Sequence, residues 1–153
     1  MDQMNDQISA KLSYLLGLLD ESHQEMENLA EEISDKELKD IVMEVADENF
    51  RSIQMLRSIL GDLKAFAQEG LVRFPDHGQD LEGIFESCLK LENRFVQAYR
   101  DILNQWFPNM HLRRVLQHQL NGIKSGFMKL KLFAQLGREE EISEVSQVVH
   151  QMS

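Results

Sequence analysis

The feature that most constrains this chain is a series of four long segments in which apolar residues recur at steps of three, four and seven. This spacing places apolar side chains on one face of an α-helix, whereas a half-buried strand needs them at every second residue. No strand pattern competes with it, so the sequence predicts an all-α protein. The apolar positions are Ile8, Leu12, Leu15 and Leu19 in the first segment, Leu38, Ile41, Val45 and Leu56 in the second, Leu81, Ile84, Cys88, Leu91 and Phe95 in the third, and Leu112, Leu116, Leu120, Ile123 and Phe127 in the fourth.

Three breaks separate these segments. Ser34–Glu37 has the residue order of a capping box, which starts a helix, and Trp106–Asn109 contains a proline that favours a tight corner. Between them, Gly70, Pro75 and Gly78 mark the longest loop. The two short connections each imply an antiparallel hairpin. We expect the hairpins to stack as an up-down-up-down antiparallel four-helix bundle over residues 1–137.

Residues 138–153 form the expected C-terminal helical extension. Gly137 is typical of a helix end, and the acidic run Glu139–Glu141 follows it. Behind this run, apolar residues again lie at helical spacing. A core closed by four long faces has no place for a further apolar stripe, so we expect this short extra helix to pack on a second copy in a homodimer. The stripe consists of Ile142, Val145, Val149 and Met152.

Charge and composition narrow the class of partner and the location. The formal net charge of −10 argues against binding to nucleic acids or anionic membranes. Residues 89–138 carry +7, which is explained by basic helices beside acidic ones or, alternatively, by a basic face for an anionic partner. The apolar stretch Tyr14–Leu19 is too short to span a membrane. A single cysteine, Cys88, excludes an intramolecular disulfide, so we expect a cytoplasmic protein.

Polar residues within the apolar stripes are the candidates for chemistry. His23 lies near the centre of the first face, Glu48 at the flank of the second, and Glu92 on the third. If the third helix runs parallel to the first, they form one layer. Such a layer could hold iron, manganese or zinc. The alternative is a metal-free pair of His23 and Glu92, in a hydrogen-bond network with Asn49 and Tyr99. Three ligands allow at most a mononuclear site, and we expect no cofactor.

An exposed histidine offers a different chemistry. The run from His118 to Gly122, His-Gln-Leu-Asn-Gly, resembles the His-x-x-Lys-Gly signature of histidine phosphotransfer domains, which are also small acidic helical bundles. The resemblance implies His118 as the nucleophile, with a glycine one turn later that leaves room for a partner's aspartyl phosphate. Asn121 stands where the signature has lysine, and Lys124 could supply the missing charge.

Short motifs over most of residues 8–136 resemble an uncharacterised ferritin-like four-helix-bundle family of bacterial proteins. In the first hairpin they are Asp35-Lys36-Glu37-Leu38-Lys39 and Ala46-Asp47-Glu48; in the third helix they are Ser87-Cys88, Glu92-Asn93 and Ala98-Tyr99. The family has a glutamate after the cysteine, where this chain has Leu89. The resemblance implies a ferritin-like fold, and it implies no particular reaction because the family has no established activity.

Together, these patterns predict a non-enzymatic ferritin-like bundle that acts as a stress or interaction protein of unknown specificity. The first alternative is a metal-binding or oxidative protein of the same superfamily that uses His23, Glu48 and Glu92. The second is a phosphotransfer module that uses His118. Stoichiometric metal in the purified protein would indicate the first alternative, and phosphorylation by acetyl phosphate would indicate the second.

Overall fold

Four helices account for most of the structure. The computed structural model describes residues 6–66 and 81–152, with side chains up to residue 137. The helices are α1 (Asp6–Glu32), α2 (Lys36–Leu60), α3 (Leu81–Leu103) and α4 (Met110–Met152), and the described residues contain no strand. The predicted all-α class is therefore confirmed. None of the described helices has the uninterrupted apolar length that a membrane crossing requires.

Local hydrogen bonds set the ends of these helices. Asp35 is the N-cap of α2, because its side chain accepts from the backbone N–H of Leu38 at 3.0 Å. The helix therefore starts one residue later than a capping box led by Ser34 would place it. Asn109 Oδ1 accepts from the N–H of Leu112 in the same way at the start of α4. The predicted corner before α4 is confirmed, since residues 104–109 are not helical.

The predicted helix end at Gly137 is wrong. α4 continues through this glycine as one helix of 43 residues, so the separate short extra helix is not formed. A glycine inside a helix costs only ~1 kcal/mol relative to alanine, and the residues on both sides of Gly137 favour helix. The apolar stripe predicted for residues 138–153 lies outside the described side chains.

Each helix has two neighbours in the bundle. In the described residues, α1 lies against α2 and α3, and α4 lies against α2 and α3. Consequently α1 is diagonal to α4, and α2 is diagonal to α3. This order differs from a bundle in which every helix lies beside the next one in the chain, because there α2 and α3 would be neighbours.

Contacts between α2 and α4 show that these helices are antiparallel. Gln119 Nε2, early in α4, donates to the backbone oxygen of Ser52, late in α2, at 3.2 Å. Farther along α4, Lys129 Nζ lies 2.9 Å from Glu44 Oε2, early in α2. The short connections within the two hairpins make α1 antiparallel to α2 and α3 antiparallel to α4. It follows that α3 runs in the same direction as α2 and opposite to α1.

A direct contact agrees with this direction of α3. Lys11 Nζ, near the start of α1, donates to the backbone oxygen of Asp101, near the end of α3, at 3.4 Å. The bundle is therefore up-down-down-up, and the predicted up-down-up-down order is wrong. The connection between α2 and α3, residues 61–80, is long enough for this order. At ~3.3 Å per extended residue, a chain of that length exceeds the length of the bundle. The spacing of apolar residues does not reveal this crossing, because two hairpins that stack directly give the same pattern on each helix.

The first residues after α2, up to Phe66, lie beside α1. The N–H of Phe66 donates to the backbone oxygen of Ser13 at 2.9 Å, and Ser13 Oγ donates to the oxygen of Lys64 at 2.5 Å. One turn later on α1, a Cβ at Gly17 would overlap the carbonyl oxygen of Phe66. Only glycine at position 17 therefore lets the backbone of the crossing segment lie directly on the helix.

A half-buried cation, Arg113, connects α3 and α4 at the corner between them. The Arg113 guanidinium donates to the backbone oxygens of Leu103 and Gln105, each at 2.6 Å, and lies 4.9 Å from the centre of the Phe107 ring. The Leu103 carbonyl is the last of α3 and that of Gln105 follows it closely, at a helix C-terminus where a positive charge is favourable. Arg113 thus ties the end of α3 to the start of α4.

We expect Gly17→Ala to lower the free energy of unfolding by about 1–3 kcal/mol, because the methyl group displaces the backbone of Phe66. Gly137→Ala is the matched control. A Cβ there meets no atom within 4 Å, so helix propensity alone should raise stability by up to ~1 kcal/mol. Urea unfolding of both variants measures the difference, and equal stabilisation by both would contradict the crossing contact.

Candidate functional site

His23 lies between α1 and α2 and is held by the backbone. Its Nδ1 is 3.0 Å from the oxygen of Ala46, which can only accept, so Nδ1 carries the proton. Nε2 lies 3.5 Å from Glu27 Oε1 on the next turn of α1, and the imidazole stacks against Phe50 with ring centres 5.2 Å apart. The ring therefore has neighbours at both nitrogens, and none of them belongs to the predicted polar layer.

Glu48 faces α4 rather than α1. Its Oε2 accepts from Arg51 Nη2 at 2.8 Å, an ion pair between successive turns of α2. Its Oε1 lies over Gly122 of α4, only 2.7 Å from where a Cβ would stand. The absence of a side chain at Gly122 thus provides the space for this carboxylate between the two helices.

Glu92 forms an ion pair with α4. Its Oε1 lies 2.6 Å from Lys131 Nζ, and the carboxylate side chain is 10% exposed against 40% for the lysine. Lys131 thus balances the charge of the nearly buried Glu92 carboxylate, while the lysine side chain itself remains in contact with solvent. The predicted pairing of Glu92 with His23 is therefore wrong.

The structure does not bring His23, Glu48 and Glu92 together. Glu48 and Glu92 both point to α4, and α4 is diagonal to the helix that carries His23. The predicted layer rested on a third helix parallel to the first, and that direction is reversed. In the described parts of the chain, no group of three or more His, Cys, Asp and Glu residues could hold a metal ion.

A buried polar chain links α3, α4 and α2. The Tyr99 hydroxyl donates to Gln119 Oε1 at 2.9 Å, and Gln119 Nε2 donates to the backbone oxygen of Ser52. Burial raises the pKa of the Tyr99 hydroxyl well above its ordinary value, so it stays a donor. The inward positions predicted for Tyr99, Asn49 and Ser52 are confirmed.

Two further polar residues, Gln119 and Ser22, are buried although they were not predicted to be. Gln119 lies three residues after Leu116 in the apolar stripe of α4, and Ser22 lies three after Leu19 in that of α1. This spacing of three residues places both side chains on the inward face of their helix. Ser22 Oγ accepts from Asn49 Nδ2 at 2.6 Å, which leaves Asn49 Oδ1 buried and without a hydrogen-bond partner.

His118 is exposed on α4, as expected, and Gly122 is on the next turn. The space above Gly122 is filled by the Glu48 carboxylate, however. A phosphoryl group arriving at His118 would therefore approach the Glu48–Arg51 ion pair rather than the lysine of the phosphotransfer signature.

Two surface pockets border α4. The α2–α4 pocket has a volume of about 400 Å³, and its polar lining residues are Glu44, Asp47, Glu48, Asn49, Arg51 and Lys129. The α3–α4 groove, about 350 Å³, is mainly apolar and is lined among others by Phe85, Cys88, Leu89, Phe127, Leu130 and Lys131. Burial raises the pKa of the Cys88 thiol to about 12, so this thiol is a packing group rather than a nucleophile at neutral pH.

Comparison of the chain with family models, with curated proteins and with solved structures finds no match.

We expect Tyr99→Phe to lower the free energy of unfolding by about 1–3 kcal/mol, because it leaves Gln119 Oε1 buried without a donor. Tyr14→Phe is the control, since Tyr14 is half-buried and packs its ring on Phe66 at 6.3 Å. Tyr14→Phe should lower the free energy of unfolding by no more than ~0.5 kcal/mol. Guanidinium unfolding gives both values, and similar losses in the two variants would contradict the buried chain.

Proposed function

We propose that this protein is a non-enzymatic, ferritin-like helical bundle that functions as an interaction protein, and that it assembles with a second copy through α4. One observation carries the proposal: α4 has 43 residues, whereas α1, α2 and α3 have 27, 25 and 23. One helix of the bundle is thus far longer than the core that it helps to form.

The excess length of α4 lies at one end of the bundle. Lys129 is opposite Glu44, so the first residue of α2, Lys36, is level with about residue 137 of the antiparallel α4. The rings of Phe85 and Phe133, 6.3 Å apart, place the start of α3 near the same level. Residues 138–152 therefore continue beyond both neighbours for ~22 Å, at 1.5 Å per residue.

A helix of this length needs a covering surface. Isolated helices shorter than ~12–15 residues are marginal in water, and most helices gain stability by burying an apolar face. In the sequence of this segment, Ile142, Val145 and Val149 recur at helical spacing. We expect this stripe to be buried.

A second copy of the chain is the occupant that fits. The α3–α4 groove lies beside the base of the projecting segment, and its apolar lining matches an apolar helix face. Lys131 borders the groove, and although it pairs with Glu92 it stays 40% exposed. It can therefore also face the acidic residues of the segment, Glu139–Glu141 and Glu144. Because both surfaces belong to the same chain, a twofold arrangement satisfies both copies at once.

The helix order supports the ferritin-like part of the proposal. Ferritin-like bundles have one long crossover connection between two hairpins, and the up-down-down-up order here requires such a crossover at residues 61–80. The two alternatives have less support. The three predicted metal ligands have separate partners, and the predicted phosphotransfer histidine lies one turn from the Glu48 carboxylate.

We expect deletion of residues 139–153 to convert a dimer into a folded monomer, because it removes the apolar stripe and leaves the four-helix core. Light scattering coupled to size exclusion gives the mass, and circular dichroism checks the fold. Leu89→Glu, which puts a charge into the α3–α4 groove, should also weaken the dimer.

Met55→Glu is the matched control for Leu89→Glu, since both side chains are exposed, at 48% and 44%, and Met55 lies on α2 away from the groove. It should leave the dimer intact. A full-length protein that is monomeric at ~100 µM, where even a weak micromolar contact would be occupied, would overturn the proposed assembly.

A further inference from the structure

Trp106, at the corner between α3 and α4, is exposed to solvent. Its side chain is 82% exposed, the largest value among the large apolar side chains of the described residues, and Met110 at the start of α4 is 57% exposed. Tryptophan and methionine are enriched in protein interfaces, and a tryptophan buries a large area when a partner covers it. The two side chains therefore offer an apolar contact surface at this end of the bundle.

The backbone on both sides of Trp106 is held in place. The oxygen of Gln105 accepts from the Arg113 guanidinium at 2.6 Å, and the side chain of Phe107 is 1% exposed and lies under the same guanidinium. The core thus takes its aromatic ring at this corner from Phe107, and the Trp106 indole is left outside. Since its neighbours are already fixed, binding through Trp106 orders little additional backbone.

The corner is basic in an acidic protein. Residues 100–114 contain Arg100, Arg113 and Arg114 but only one acid, Asp101, which gives +2 in a chain of net charge −10. The Asp101 carboxylate accepts from Gln97 at 2.7 Å. Arg100 and Arg114 are exposed, and neither forms an ion pair with another residue that the structure describes. Two guanidinium groups are therefore available to an anionic partner.

Neighbouring charges leave this corner basic. Farther from it, the lysines of α3 and α4 that form ion pairs with glutamates are Lys90, Lys129 and Lys131. The start of α1 and the end of α2 lie at the same end of the bundle as Trp106. In sequence, residues 6–13 have one acid and one base, and residues 54–66 have one acid and two bases. These segments do not cancel the charge of the arginines.

We propose that the surface formed by Arg100, Trp106, Met110 and Arg114, the Trp106 corner, binds an acidic segment of another protein that carries large apolar side chains. Guanidinium groups pair with carboxylates through two hydrogen bonds, and the indole and the thioether cover the apolar side chains. Met110 and Arg114 are four residues apart on α4, so one segment can contact both.

The proposal rests on the proposed function as an interaction protein and names the chemistry of a further partner. It uses a surface different from that of the dimer, because Phe127 in the α3–α4 groove lies ~20 Å along α4 from Arg114. A monomeric protein that binds the acidic segment would contradict only the dimer. A dimer that does not bind it would contradict only the present proposal.

Nucleic acids and anionic membranes fit the Trp106 corner less well. Both present extended negative charge, which would meet the field of the remaining chain as well as the two arginines. A short acidic segment contacts the corner alone. The favoured partner is therefore a protein segment.

Fluorescence titration of the full-length protein tests the proposal, since Trp106 is the only tryptophan in the chain. The probe is a dodecapeptide that repeats Glu-Glu-Leu-Phe three times. We expect a saturable blue shift of the emission, because the peptide covers the indole. Peptides that repeat Lys-Lys-Leu-Phe or Glu-Glu-Ser-Ser should bind at least tenfold more weakly. No saturable shift at about 1 mM peptide, or equal affinity for the three peptides, would overturn the proposal.

Substitutions at exposed positions locate the site. Arg114→Gln and Trp106→Ala should each weaken binding of the Glu-Glu-Leu-Phe peptide at least tenfold, measured by the anisotropy of a fluorescein-labelled peptide. Lys124→Gln is the matched control, because it removes the same charge from an exposed position of α4 that lies ~15 Å along the helix from Arg114. It should bind within twofold of the unchanged protein. Circular dichroism checks that each variant is folded.

Three outcomes would assign the binding elsewhere and overturn the proposal. Equal losses in Arg114→Gln and Lys124→Gln would show that only net charge matters. A loss in Leu89→Glu without one in Arg114→Gln would place the peptide in the α3–α4 groove. A blue shift with phosphatidylglycerol vesicles in about 0.15 M salt, without one for the peptide, would indicate a membrane surface as the partner.

Discussion

The contact between the chain after α2 and Gly17 of α1 is the constraint on which the order of the helices depends. Because Phe66 lies directly on this glycine, the chain leaves α2 along the surface of α1 instead of turning into a third helix beside it. The start of α3 then lies at the opposite end of the bundle, and α3 runs antiparallel to α1. This reversal makes α4 the neighbour of both α2 and α3, and the α2–α4 pocket and the α3–α4 groove lie along these two contacts.

Periodicity predicted the helices well because burial of one face is the dominant free-energy term and is encoded locally. It was less accurate at helix ends, where the competing effects are small. Ser34 and Asp35 are both good caps, and only the hydrogen bond to Leu38 decides between them. Gly137 lies in a segment whose other residues favour helix, so α4 continues through it. The spacing of apolar residues gives no information on the path that a long loop takes between two helices. The predicted order of the helices was therefore wrong.

The same distinction explains what could be predicted of the polar interior. An inward direction follows from the position of a residue on its own helix, so the burial of Asn49, Ser52 and Tyr99 was predictable. The identity of a partner depends on which helices are neighbours. Glu92 was therefore predicted to pair with His23, whereas in the structure it pairs with Lys131 of α4. A polar network in a bundle can be located from sequence, while its connections require the direction of every helix.

The direction of α3 is tested most directly by distances between spin labels in the intact protein. Labels at the exposed positions Gln7 and Asn104 should lie close together, within about 25 Å, because the start of α1 is beside the end of α3. Labels at Gln7 and the exposed Glu86 should be farther apart, since Glu86 lies ~27 Å away from Asn104 along the helix axis. A short distance from Gln7 to Glu86 and a long one to Asn104 would show that α3 is parallel to α1 and would contradict the up-down-down-up bundle.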